Sequence, residues 1–173
     1  MTKSISAARI MLIAILGFVL QACGPAHNAH SGPGPAENAQ EIGELRATYA
    51  IVRPGAIGAN SAAYFALENR GAAADRLIGA SSPIAPRLEI HTHVKKPGGV
   101  MAMQKVEGGL ALPARGQVAF SPGGLHVMVF GLARPLQPGE TVPITLMFEK
   151  AGPVDVQFEV GIPRRAGHAH HGH

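Results

Sequence analysis

From Leu45 onward the chain is broken at short, regular intervals by glycine- and proline-bearing clusters. They include Arg53-Pro54-Gly55, Asn69-Arg70-Gly71, Lys96-Pro97-Gly98-Gly99, Ser121-Pro122-Gly123-Gly124, Gln137-Pro138-Gly139 and Ala151-Gly152-Pro153. Such residues set turn geometry and cannot sit inside a long helix at little cost. The stretches between them are short and alternating or apolar: Leu45–Val52, Ala62–Glu68, Arg76–Ala80, Arg87–His93, Val100–Val106, Gln117–Phe120, Leu125–Phe130, Val142–Phe148 and Val154–Val160. Helical periodicity is not convincing over any comparable length. Strands separated by turn signals at this spacing predict an all-β, antiparallel β-sandwich or barrel; the sandwich is the expected form.

The two ends do not belong to that pattern. Lys3 and Arg9 precede an apolar run, Ile10–Leu20, that is too short to span a bilayer and has the build of a signal-peptide core. It closes on Leu20-Gln21-Ala22-Cys23, which resembles a bacterial lipobox, so that residues 1–22 are expected to be removed and Cys23 lipidated. Residues 23–40, rich in Gly, Pro, Ala and Asn, read as a flexible tether, and residues 41–163 as the folded domain. Residues 164–173 are expected to form a flexible tail carrying His168, His170, His171 and His173, with no apolar face to bury. The expected location is the periplasm or cell envelope, with the membrane as one partner through Cys23.

Composition excludes several functions. The sole cysteine lies at the signal junction, which removes disulfide frameworks, iron–sulfur clusters and multi-thiolate zinc sites from the domain. Losing Met1–Ala22 deletes Lys3 and Arg9 and no acidic residue, leaving 13 basic against 11 acidic side chains. With few aromatics as well, there is no footprint of a nucleic-acid binder. No G-x-S-x-G occurs and acidic residues are scattered, so catalysis is not expected.

Side-chain parity then locates a candidate site. Residues i and i+2 of a strand share a face. Leu88 and Ile90 take one face of their strand, and His91 and His93 the other. Leu125, Val127 and Val129 form an apolar face, which turns His126, Met128 and Phe130 away from it. Met101 and Met103 likewise share a face. Neutral imidazole plus thioether, without thiolate, suits Cu(I) and is a poor match for zinc, because Met sulfur is a soft ligand. Core methionines and solvated histidines are commoner than ligands, but His-x-His, Met-x-Met and His-x-Met recur here within one small domain.

Several segments together resemble the PCu(A)C family of periplasmic copper chaperones: Ala63-Tyr64-Phe65-Ala66-Leu67-Glu68-Asn69, Leu88-Glu89-Ile90-His91-Thr92-His93, Gly99-Val100-Met101-Ala102-Met103 and Ser121-Pro122-Gly123-Gly124-Leu125-His126-Val127-Met128. The resemblance runs from about Thr48 to Val160 and includes Gly139-Glu140-Thr141-Val142 and Thr145-Leu146-Met147-Phe148-Glu149. It implies a cupredoxin-like sandwich and a His…Met…His-x-Met site for Cu(I), here His91, Met103, His126 and Met128. The chain is slightly longer than the family pattern on either side of Met103, additions that the Lys95–Gly99 turn and Gly108-Gly109 would absorb. Met101 therefore stays beside Met103 as a candidate, and His93 as an accessory one. The resemblance also implies copper delivery to a respiratory cytochrome oxidase centre, the partner being an oxidase subunit or another copper chaperone.

The tail histidines are candidates for an accessory Cu(II) site, with His27 and His30 as helpers, or for incidental metal affinity. The alternative function is an envelope zinc or copper buffer binding divalent ions through His91, His93, His126 and the tail. A blue-copper electron carrier fails for want of a thiolate ligand, and a metal-free adhesion sandwich would show no preference for Cu(I).

Overall fold

The computed structural model describes residues 39–163. Eleven strands follow one another: β1 (Gln40–Ile42), β2 (Leu45–Val52), β3 (Ser61–Asn69), β4 (Asp75–Ser81), β5 (Arg87–Lys95), β6 (Met101–Lys105), β7 (Leu110–Leu112), β8 (Gln117–Phe120), β9 (His126–Phe130), β10 (Thr141–Phe148) and β11 (Pro153–Val160). No helix among the described residues is long and apolar enough to cross a membrane. The expected all-β class holds, and nine strands lie where turn punctuation placed them. β1 and β7 were not expected. Each has three residues, too few to alternate visibly, and β1 starts at Gln40, one residue inside the segment assigned to the tether.

The strands join in the order β6-β5-β9-β3-β2-β11-β10-β4-β7, with β1 added to β2 and β8 to β3. Alternation explains the packing. In β11, Val154, Val156, Phe158 and Val160 are buried, while Pro153, Asp155, Gln157 and Glu159 face out. Inward residues of β9 and β3 and those of β10 and β11 fill one core, so the path folds over on itself as a sandwich. One expectation needs correcting: the sheet is not wholly antiparallel, because β11 runs parallel to β2, with Glu159 opposite Ile51 and Val160 opposite Val52. These are the last strand and the second. Local turn signals fix hairpins, whereas a pairing between distant strands leaves no local trace.

β2 departs from simple alternation for a visible reason. Leu45 and Ala47 are buried, and so are Ala50 and Val52, a change of parity within one strand. The ladder to β3 shifts register between Thr48 and Ile51, and Tyr49 takes a φ of 56°. The extra residue of this bulge lets both halves of β2 face the core.

Asp75 fastens the start of β4 to the β10–β11 turn. Its carboxylate accepts from the backbone N–H of Arg76 at 2.7 Å, Lys150 at 2.9 Å and Ala151 at 3.0 Å. Burial alone would raise its pKa, but these N–H donors and the Lys150 charge outweigh it and hold the group below its ordinary 3.8. The resulting stabilisation is present above pH 3.8 and is lost as pH falls through the lowered value. Asp75→Ala should destabilise the domain by roughly 1–2 kcal/mol near neutrality. In urea melts that gap should close in strong acid.

Beyond Ile90 the sheet leaves the core. β5 has no buried residue after Ile90 and β6 has none at all, so the β5–β6 hairpin projects as an exposed arm. Its turn is closed by Lys96 N–H donating to Val100 O at 2.8 Å, with Gly98 and Gly99 at φ of 85° and 83°, values that strongly favour glycine.

Candidate metal centre

β5 lies between β6 and β9, and the registers of the two ladders assemble the site. On one side His93 faces Met103, Lys95 faces Met101 and His91 faces Lys105. On the other, His91 faces His126 and Glu89 faces Met128. The residues that parity turned away from the core therefore meet on one outer face. Ring centroids of His93 and His126 are 5.3 Å apart, and those of His91 and His126 6.0 Å. Phe130 lies 5.8 Å from His91, and Tyr64 of the neighbouring β3 lies 6.3 Å from His126.

Exposure grades across this face. His126 is 3% exposed, His91, His93 and Met128 are half-buried, and Met103 and Met101 are 54% and 56% exposed on the edge strand. A bound ion would thus have a buried imidazole at one side and a solvent-facing thioether at the other.

A short excursion of the chain supplies a polar anchor beneath the rings. β8 and β9 both pair with β3, at different points along it, and Ser121–Leu125 loops out between them. The loop is closed by Ser121 N–H donating to Leu125 O at 2.8 Å, with Gly123 at a φ of 85°. It places the Gly124 carbonyl 3.1 Å from His126 Nδ1 and 3.3 Å from His93 Nδ1. On the other side of the cluster, His91 Nε2 lies 2.9 Å from Glu89 Oε2. His91 Nδ1 is buried and has no hydrogen-bond partner among the described residues.

The electrostatics keep the donors available. Burial, more than any other influence, pushes the His126 imidazole below its ordinary 6.5; the Gly124 carbonyl pulls the other way, and His93 and His91 add to the lowering. The shift favours the neutral ring, the form with a lone pair to donate. Glu89 is held below its ordinary 4.5, first by the hydrogen bond from His91 and then, against some desolvation, by the charges of Lys105 and Arg87.

The structure gathers His91, His93, His126 and Met128 and sets Met103 opposite His93. Met101 lies one pair farther along the arm, opposite Lys95. His93, expected as accessory, is closer to His126 than His91 is. Cys23, His27, His30, His168, His170, His171 and His173 lie outside the described residues. Among the described residues, no three His, Cys, Asp or Glu groups converge tightly enough to form a metal cluster by themselves. Sequence reasoning missed Glu89, Gly124 and Tyr64. Glu89 carried a signal, being two residues before His91 and on its face. A backbone carbonyl carries none.

The LpqE-like lipoprotein family model matches residues 44–160. A protein of Leifsonia xyli subsp. xyli (strain CTCB07), named as the lipoprotein Lxx21020, is 30% identical over 148 residues, which is 86% of this chain and 86% of that one. Two solved structures share the fold at a TM-score of 0.60 and 25% identity, covering 72% of this chain: the apo PCuAC domain from PmoF1, over 99% of its length, and the copper-bound PCuAC domain from PmoF2, over 98%.

Proposed function

Since the chain belongs to the PCuAC family, within its LpqE-like lipoprotein group, we propose that it is an envelope copper chaperone carrying Cu(I) as cargo on the outer face of β5, β6 and β9. The observation that carries this reading is the donor set. Imidazoles of His91 and His126 share one face with the thioethers of Met103 and Met128, and the domain has no thiolate. That combination favours a soft monovalent ion over zinc. The buried, partnerless His91 Nδ1 fits as well, since an unsatisfied buried polar atom is costly unless something takes up its lone pair.

The graded exposure gives the transfer a direction. His126 is the buried anchor, and Met103 on the edge strand is the ligand an acceptor reaches first. An incoming acceptor ligand replaces the Met103 thioether, then Met128 and the histidines, so the ion passes by exchange without being released to water. Exposed Val100 and Met101, beside Lys95 and Lys96 at the turn end of the arm, are offered as the surface an acceptor meets. We take the acceptor to be a respiratory cytochrome oxidase copper centre or a second copper chaperone. Cys23 would anchor the chain to the membrane, and the tail histidines would form a separate Cu(II) site.

The test is titration with Cu(I) against a competing chelator. The wild type should retain one Cu(I). His126→Gln should bind more weakly by roughly 100-fold or more, since losing a ligand costs at least what losing its outer-shell support does. Truncation after Gly167 should leave the core site unchanged. A wild type that cannot hold one Cu(I), or a His126→Gln variant that binds as well, would overturn the proposal.

A further inference from the structure

The three histidines are not equivalent donors. We infer that His91 presents Nδ1 to the ion and His126 presents Nε2, with Nε2 also the free nitrogen of the accessory His93, and that Glu89 is the positioning residue responsible for the difference. The inference rests on the copper reading above and adds to it which atoms bind and what orients them.

The hydrogen bonds determine where each proton sits. A backbone carbonyl only accepts, so a ring nitrogen bonded to Gly124 O must carry the hydrogen. His126 Nδ1 at 3.1 Å and His93 Nδ1 at 3.3 Å both donate to that oxygen, whose two lone pairs can serve them together. In each neutral ring the free lone pair is then on Nε2. For His91 the order is reversed. Its Nε2 lies 2.9 Å from the Glu89 carboxylate, which also only accepts, so Nε2 carries the hydrogen and Nδ1 the lone pair. That Nδ1 is the buried nitrogen with no partner among the described residues.

Glu89 is itself held in place. Its Oε1 faces Arg87 Nη1 at 3.2 Å and Lys105 Nζ at 3.7 Å, which leaves Oε2 for His91. The Arg87 guanidinium in turn lies 3.9 Å above the Phe130 ring, and that ring packs beside His91. A carboxylate on the far nitrogen fixes the tautomer of a ligating histidine and raises its basicity. Gly124 gives His126 and His93 the same orientation service with a neutral oxygen. The site thus has one imidazole backed by a charge and two backed by a single carbonyl.

Nitrogen-15 NMR of the imidazole rings in the full chain, without metal and at a pH where the rings are neutral, reads the tautomers directly. The proton should be on Nε2 in His91 and on Nδ1 in His126 and His93. Added Cu(I) should then shift the unprotonated nitrogen of each ring it engages, Nδ1 in His91. Glu89→Gln keeps an acceptor oxygen and should keep both the tautomer and Cu(I) binding. Glu89→Leu should leave His91 as a mixture of tautomers and weaken Cu(I) binding about 10–100-fold, with thermal melts showing that the fold is intact. Cu(I) uptake by a wild type whose His91 is protonated on Nδ1 overturns this inference alone, as does a Glu89→Leu variant that keeps both tautomer and affinity. Failure of the wild type to take up Cu(I) overturns the copper reading, and the ligating roles with it.

Discussion

Replacing Met103 and Met128 together by leucine is expected to abolish Cu(I) retention against a competing chelator while leaving Zn²⁺ uptake unchanged. Leucine and methionine have similar volumes, and such exchanges usually cost under about 1.5 kcal/mol even in a core. Met103 is 54% exposed and Met128 half-buried, so the fold should be barely affected. What disappears is the soft half of the donor set. Imidazoles alone bind zinc, Cu(II) and other divalent ions well, and lose the preference for the monovalent one. Two ligands lost should exceed the roughly 10–100-fold that a single outer-shell change costs. X-ray absorption on the copper-loaded wild type should show sulfur neighbours that vanish in the double variant. Wild-type Cu(I) retention by that variant would instead favour the divalent buffer, in which only histidines hold the metal.

The largest effect on stability is expected from Phe65→Ala, at about 3–5 kcal/mol. Phe65 is 2% exposed and lies at the junction of three strands. Its ring stacks on Phe120 of β8 at 4.2 Å, with 10° between the planes, and meets the edge of Phe158 of β11 at 5.4 Å and 84°. Truncation leaves a cavity whose walls come from three strands and cannot all close in. Since domains of this size have only about 5–15 kcal/mol in total, a substantial share of the stability would go. The midpoint of urea unfolding should fall accordingly, and because β3 also carries β9, the His126 cluster should melt with the core. A loss below about 1 kcal/mol would show that these rings do not pack as described.

Much of the site could be read from the sequence because parity is a local property. Once turns bounded the strands, the aliphatic faces of Leu88-Ile90 and Val127-Val129 were enough to turn His91, His93, His126 and Met128 outward. Two kinds of information lay beyond that reading. The first was which strands are neighbours: nothing in Arg87–Lys95 says that it lies between β6 and β9, and the β2–β11 pairing joins segments more than a hundred residues apart. The second was the backbone's own chemistry. The Gly124 carbonyl that anchors two imidazoles has no side chain to announce it, and the bulge at Tyr49 is visible only as a break in alternation.

The parallel ladder between β2 and β11 also determines where the chain leaves the domain. Val160 is level with Val52, Val52 with Ala63, and Ala63 with Val127, the residue after His126. Three interstrand steps of about 4.8 Å place this exit only about 14 Å across the sheet from the histidine cluster. The parallel pairing thus ends the folded domain near the strand that carries His126, rather than at the far edge formed by β4 and β7.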